Sequence, residues 1–84
     1  MAITKQYTIS GKVQNVGYRD YVKKAANAVG LMGVANHGQS ADTVIVIAQG
    51  DESTFAEFER VLRFGPVMAF VKSVDIEVIE HSPY

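Results

Sequence analysis

The sequence predicts an α+β fold with the element order βαββαβ, on three observations. Residues Thr4 to Val13 alternate apolar and polar, the period of a half-buried strand. Apolar residues recur at helical spacing from Tyr18 and again from Phe55, and a glycine closes each run. A β-branched run, Val44 to Ile47, and a second alternation at Val74, Ile76 and Val78 supply further strands.

In the first strand Tyr7, Ile9, Gly11 and Val13 oppose Thr8, Ser10 and Lys12. Tyr18, Val22, Ala25, Ala26 and Val29 then fall on one helix face, and Gly30 stops that helix. Leu31 to Ala35 is expected to be a short second strand broken by Gly33, and Asn36 to Asp42 a polar loop. Thr43 to Gln49 is the central strand. Gly50 to Thr54 turns into the second helix, where Asp51 or Ser53 can cap free amides. Phe55, Phe58, Val61 and Leu62 give this helix its apolar face, and Gly65-Pro66 ends it. Ala69 to Ile79 is the last strand, with one wet face. The tyrosines and phenylalanines fall mostly at core positions. This order belongs to the split-βαβ, ferredoxin-like sandwich, with two helices on one face of a four-stranded antiparallel sheet. That fold hosts enzymes, RNA binders and regulatory modules, so function must be read from a site.

With 84 residues the chain is expected to form one domain, spanning 1–84. A hydrophobic content of 48% supports a core without staples, and there is no Cys for disulfides, thiolate metal sites or thiol nucleophiles. The net charge of -1 offers no basic surplus for a nucleic-acid backbone or an anionic membrane. Any anion site must therefore be local. No apolar run approaches the ~20 residues of a membrane span, and the first residues lack the apolar core of a signal peptide. The expectation is a soluble, cytoplasmic monomer.

One junction carries chemistry: Gly11-Lys12-Val13-Gln14-Asn15-Val16-Gly17-Tyr18-Arg19. A strand ends, a loop turns and a helix begins near Tyr18. Amides at a helix start have no intrahelical partner and, with the dipole, favour an anion. Gly17 permits a sharp turn and a close approach of backbone to a ligand. Asn15 also suits a turn. Arg19 in the first helical turn opposes the dipole unless an anion sits between it and the amides, and its fork matches two phosphate oxygens. By itself a glycine-bearing turn followed by an arginine is a weak signal.

The same segment resembles the signature of the acylphosphatase family, Gly-x-Val-Gln-Gly-Val-x-Phe-Arg. Ala26, Gly30-Leu31-Met32-Gly33 and Gly50 also look like that family. Gly65-Pro66-Val67-Met68-Ala69-Phe70-Val71 with Val74 is similar to its Gly-Pro-x-x-Ala-x-Val-x-x-Val tail. The resemblance spans roughly Tyr7 to Ile79. It implies a ferredoxin-like fold and hydrolysis of the carboxyl–phosphate bond of small acyl phosphates, releasing inorganic phosphate, without metal or cofactor. It assigns phosphate binding to Arg19 with the backbone amides of Gln14, Asn15, Val16, Gly17 and Tyr18. The alternative is a ferredoxin-like module that keeps the anion loop and lacks turnover.

The family's water-positioning Asn lies in a Gly-Leu-x-Gly-Trp-Val-x-Asn segment, which here reads Gly30-Leu31-Met32-Gly33-Val34-Ala35-Asn36-His37. Aligned without gaps, His37 stands at the Asn position and Asn36 one place earlier. Adjacent strand residues face opposite ways, so the two are exclusive unless a bulge intervenes. Three readings stay open: His37 orients water through a ring nitrogen, which makes activity depend on its protonation; Asn36 reaches the site; or neither does. Asn15 replaces a family glycine, and Val34 the family Trp. His81 is expected at the surface.

Other chemistries find less support. Two His and no Cys, with Asp42 and Glu52 unclustered, give no metal-ligand spacing. Ser10, Ser40, Ser53, Ser73 and Ser82 lie in no nucleophile-elbow motif. Tyr7 could stack a base in an RNA-binding version of the fold, but Thr43 to Gln49 lacks the aromatic and basic residues that version carries.

Overall fold

The computed structural model describes residues 2–14, 17–40 and 42–79. Its elements are β1 (Ala2–Lys12), α1 (Tyr18–Val29), β2 (Met32–His37), β3 (Thr43–Asp51), a 3-10 turn (Glu52–Thr54), α2 (Phe55–Phe64) and β4 (Phe70–Ile79). The strands form one antiparallel sheet in the order β2-β3-β1-β4, the ferredoxin-like arrangement expected from the element order.

The core lies between the sheet and the helices. Tyr7 pairs with Val46, Ile9 with Val44 and Ala35 with Val46, so these residues share one sheet face. All of them are buried, together with Val22 and Ala26 of α1 and Phe55, Phe58 and Leu62 of α2. The rings of Tyr7 and Phe58 meet edge to face at 5.7 Å, a contact worth about 0.5–1.5 kcal/mol beyond its buried area. Tyr7 is thus fully buried under the helices, which removes it as a base-stacking platform. Its hydroxyl donates to Glu59 at 2.9 Å, and Lys5 Nζ reaches the same carboxylate oxygen at 2.9 Å.

Both helices begin and end near their expected limits. Gly30 closes α1, with Leu31 N donating to Ala26 O at 2.8 Å. Asp51 accepts from Ser53 N, as the capping pattern implied.

Two expectations need correction. β2 does not stop at Ala35: Asn36 pairs with Ile45 and His37 with Val44. Ladder bonds to the apolar central strand extend the hairpin through two polar residues that look like loop. β4 keeps its drier face only in its first half: Val71 and Val74 pack against the core, but Ile76 and Val78 are exposed, because this is the edge strand and the helices do not cover its far end. Phe64 is 85% exposed and Phe70 63%, so neither aromatic belongs to the core.

The end of β1 is shaped by an irregularity. Its pairing with β4 shifts register between Ser10 and Gly11. Gly11 takes φ 130°, and a β-carbon there would run into the carbonyl of Phe70. Only glycine fits this bulge, which directs the chain out of the sheet toward the loop before α1.

Candidate active site

The loop after β1 is anchored at both ends. Val13 is buried, and its amide donates to Gly11 O at 3.1 Å. Gly17 stands at the N-cap of α1 with φ 78° and ψ 16°, the left-handed region that a side chain disfavours. Having no side chain, Gly17 cannot cap the helix. The first helical bond is Tyr21 N to Gly17 O at 3.0 Å, so the amides of Tyr18, Arg19 and Asp20 have no intrahelical acceptor.

Two phenols fix this first turn against α2. The Tyr18 hydroxyl donates to Leu62 O at 2.9 Å, and the Tyr21 hydroxyl to Val61 O at 2.8 Å. Burial raises both hydroxyls above the ordinary tyrosine value, with the neighbouring Tyr21 adding to the effect at Tyr18. Both therefore stay protonated and act as permanent donors. Two hydrogen bonds thus tie the start of α1 to α2.

Arg19 is exposed and lines a recess of about 210 Å³. Val13, Gln14, Gly17, Asp20, Lys23 and Ala35 contribute to the same recess. It is smaller than a typical drug-sized pocket, and suits a phosphoryl group with a short substituent. The first-turn amides, which have no acceptor among the described residues, the dipole and the guanidinium all favour an anion there.

The site residues expected from the sequence divide into three groups. Arg19, Gln14, Gly17 and Tyr18 meet at the recess. Asn15 and Val16 lie outside the described residues, as does His81. Asn36 and His37 do not line the recess; Ala35 is the β2 residue that does. Their registers differ, however. His37 pairs with Val44 and belongs to the row of Ala35, on the helix side of the sheet. Asn36 pairs with Ile45 and belongs to the opposite row. His37 is exposed at the end of β2 and borders a shallow groove formed with Gln6, Thr8 and the Gly38–Ser40 turn; Gln6 and Thr8 alternate with the buried Tyr7 and Ile9, so this groove opens on the sheet face away from the helices and the recess.

Sequence reasoning missed two features. The side chain of Gln14 crosses to the β2–β3 turn, donating through Nε2 to Thr43 O at 2.7 Å and Ser40 O at 3.1 Å. Lys23, one turn beyond Arg19, lines the recess. The i, i+4 spacing of Arg19 and Lys23 was a usable signal for the second; nothing local announced the first.

The acylphosphatase family model matches residues 5–84. The chain is 41% identical over 68 residues to an acylphosphatase of Dehalococcoides mccartyi, covering 81% of this chain and 75% of that protein. It is 42% identical over 74 residues to an acylphosphatase of Deinococcus radiodurans, covering 88% and 84%. The solved structure of an acylphosphatase from Coxiella burnetii superposes with a TM-score of 0.88 at 31% identity, over 99% of this chain and 86% of that one.

Proposed function

The chain belongs to the acylphosphatase family, and we propose that Arg19 with the amides opening α1 holds the phosphoryl group while it hydrolyses acyl phosphates. The enzymatic reading, rather than a module without turnover, is that of its relatives. The observation that supports the site is that Arg19 and its first-turn neighbours Tyr18 and Asp20 line one recess, with no acceptor for their amides among the described residues.

The chemistry follows from the charges. Water attacks phosphorus in line, the bond from phosphorus to the acyl oxygen breaks, and a carboxylate leaves with the bonding electrons. Inorganic phosphate is released and the water proton passes to phosphate or solvent. The transition state is loose, with charge spread over the equatorial oxygens. Donors already aimed at those oxygens stabilise it without reorganising. The tether from Tyr18 to Leu62 keeps the amides aimed. A carboxylate is a good leaving group, so no strong general acid is required.

For the attacking water, the proposal takes His37 over Asn36. The backbone register sets His37 in the row of Ala35, which lines the recess, and Asn36 in the opposite row, so a turn of the imidazole from the groove it borders brings it toward the recess. A neutral imidazole offers an acceptor for a water proton.

The enzyme works as a monomer on small substrates. The cysteine-free composition suits a reducing cytoplasm.

Incubation with benzoyl phosphate, following its loss and the release of phosphate, tests the reading. Turnover that Arg19→Ala abolishes supports it; turnover unchanged by that substitution removes Arg19 from the site.

A further inference from the structure

We infer that Lys23 is a specificity-determining residue, and that the preferred substrates are acyl phosphates whose acyl part carries a carboxylate, as in the monophosphates of dicarboxylic acids. This rests on the assignment of the phosphoryl group to Arg19.

Lys23 follows Arg19 by four residues on α1, so the two stems stand about 5–6 Å apart on one helix face. Both line the recess. Among the described residues, no carboxylate stands within ion-pairing distance of either cation. Asp20 shares the recess without pairing with Lys23, although an i, i+3 partner is within reach on a helix. Like charges at i, i+4 weaken a helix, and Arg19 already opposes the dipole at its positive end. The arrangement is unfavourable for the empty protein and becomes favourable with two anionic groups present.

The geometry gives the two cations different tasks. Arg19 sits beside the free first-turn amides, where the phosphoryl group belongs. Lys23 is a turn farther from those amides, and its ammonium is a point charge on a flexible stem. Such a group suits the distal carboxylate of a substrate lying along the helix, a few bonds from phosphorus. The lysine makes no contact with the reacting atoms, so it acts on substrate binding and selection.

Kinetics on benzoyl phosphate and 4-carboxybenzoyl phosphate test the inference, because the two differ by one carboxylate on the same ring. An exposed ion pair contributes modestly. Lys23→Gln is therefore expected to lower kcat/KM for the carboxylated substrate about three- to fivefold more than for benzoyl phosphate, through KM. Lys23→Arg is expected to restore the preference, and added salt to erode it in the wild type. Lys24→Gln, outside the recess, is expected to leave the ratio as it is. An equal loss on both substrates overturns the inference, as does a ratio that Lys23→Gln leaves unmoved. Failure of the underlying assignment has a separate signature: Arg19→Ala without effect on benzoyl phosphate.

Discussion

The side-chain amide of Gln14 donates to the carbonyl of Thr43 at 2.7 Å, joining the loop after β1 to the turn between β2 and β3. Thr43 O also accepts from Gly38 N at 3.0 Å, and Gly11 N donates to Asp42 O at 3.0 Å. The anion loop and the strand end carrying His37 are therefore held in one frame. In the proposed site, phosphate and attacking water must be placed relative to each other, and Gln14 links the two elements assigned to them.

Gln14→Ala is expected to cost about 1 kcal/mol of stability, the usual contribution of a lost hydrogen bond. Turnover should fall more through kcat than through KM, because alignment is lost while Arg19 remains. Gln14→Glu keeps the size but sets a carboxylate against two carbonyls, and should be worse on both measures. Urea melts and steady-state kinetics decide; a Glu variant as stable as wild type removes the bridge.

Arg19→Ala should lower kcat/KM for benzoyl phosphate about 10²–10³-fold, the effect of losing one preorganised donor. Arg19 is exposed and supports no packing, so Tm should hardly move. Inorganic phosphate should raise the Tm of the wild type and fail to do so in the variant.

His37→Ala should impair turnover by about tenfold or more if the imidazole orders water, general acid–base and orienting groups being worth up to 10²–10⁴-fold. Asn36→Ala should stay within about twofold, since its row faces away from the helices. His37→Asn should retain activity, since the amide oxygen also accepts a water proton. The reverse ranking of the two alanine variants would move the role to Asn36.

Glu59 supplies a pH dependence of stability. Burial pushes its carboxyl up, but hydrogen bonds from Lys5 and Tyr7 and the charges of Lys5 and Arg63 outweigh burial and leave it below its ordinary 4.5. The folded state therefore holds fewer protons than the unfolded one between the two values. The stabilisation is complete above the unfolded value and disappears as pH falls through the folded one. The difference between thermal melts of wild type and Glu59→Gln should be full and constant above pH 4.5 and shrink as pH falls through the lower, folded value. Parallel curves would show that the carboxylate charge contributes nothing.

Gly17→Ala meets no neighbouring atom and carries only the left-handed backbone penalty, about 1–2 kcal/mol. Gly11→Ala adds a collision with the Phe70 carbonyl to its positive φ. Chemical denaturation should rank Gly11→Ala as clearly the less stable; equal losses would mean the bulge relaxes.

Much of the fold was legible because its signals are local. Tyr18, Val22 and Ala26 repeat at helical spacing and Gly30 ends the run, so α1 is observed where it was expected, at Tyr18–Val29. The end of β2 was not legible, since Asn36 and His37 carry no strand propensity and their pairing depends on Ile45 and Val44 across the hairpin. Phe64 and Phe70 have core-like side chains, yet their exposure is set by where α2 stops and by the edge position of β4.

At the site, the chemistry on offer is legible along the chain: an arginine at a helix start, a glycine to turn the loop, and the acylphosphatase pattern that matches them. These are properties of neighbouring residues. The folded chain adds the register row of His37 on β2, the grip of Gln14 on the opposite hairpin and the place of Lys23 in the recess with Arg19. Strand register and a hydrogen bond between residues 29 apart in sequence depend on how the sheet closes, and no local periodicity encodes that closure.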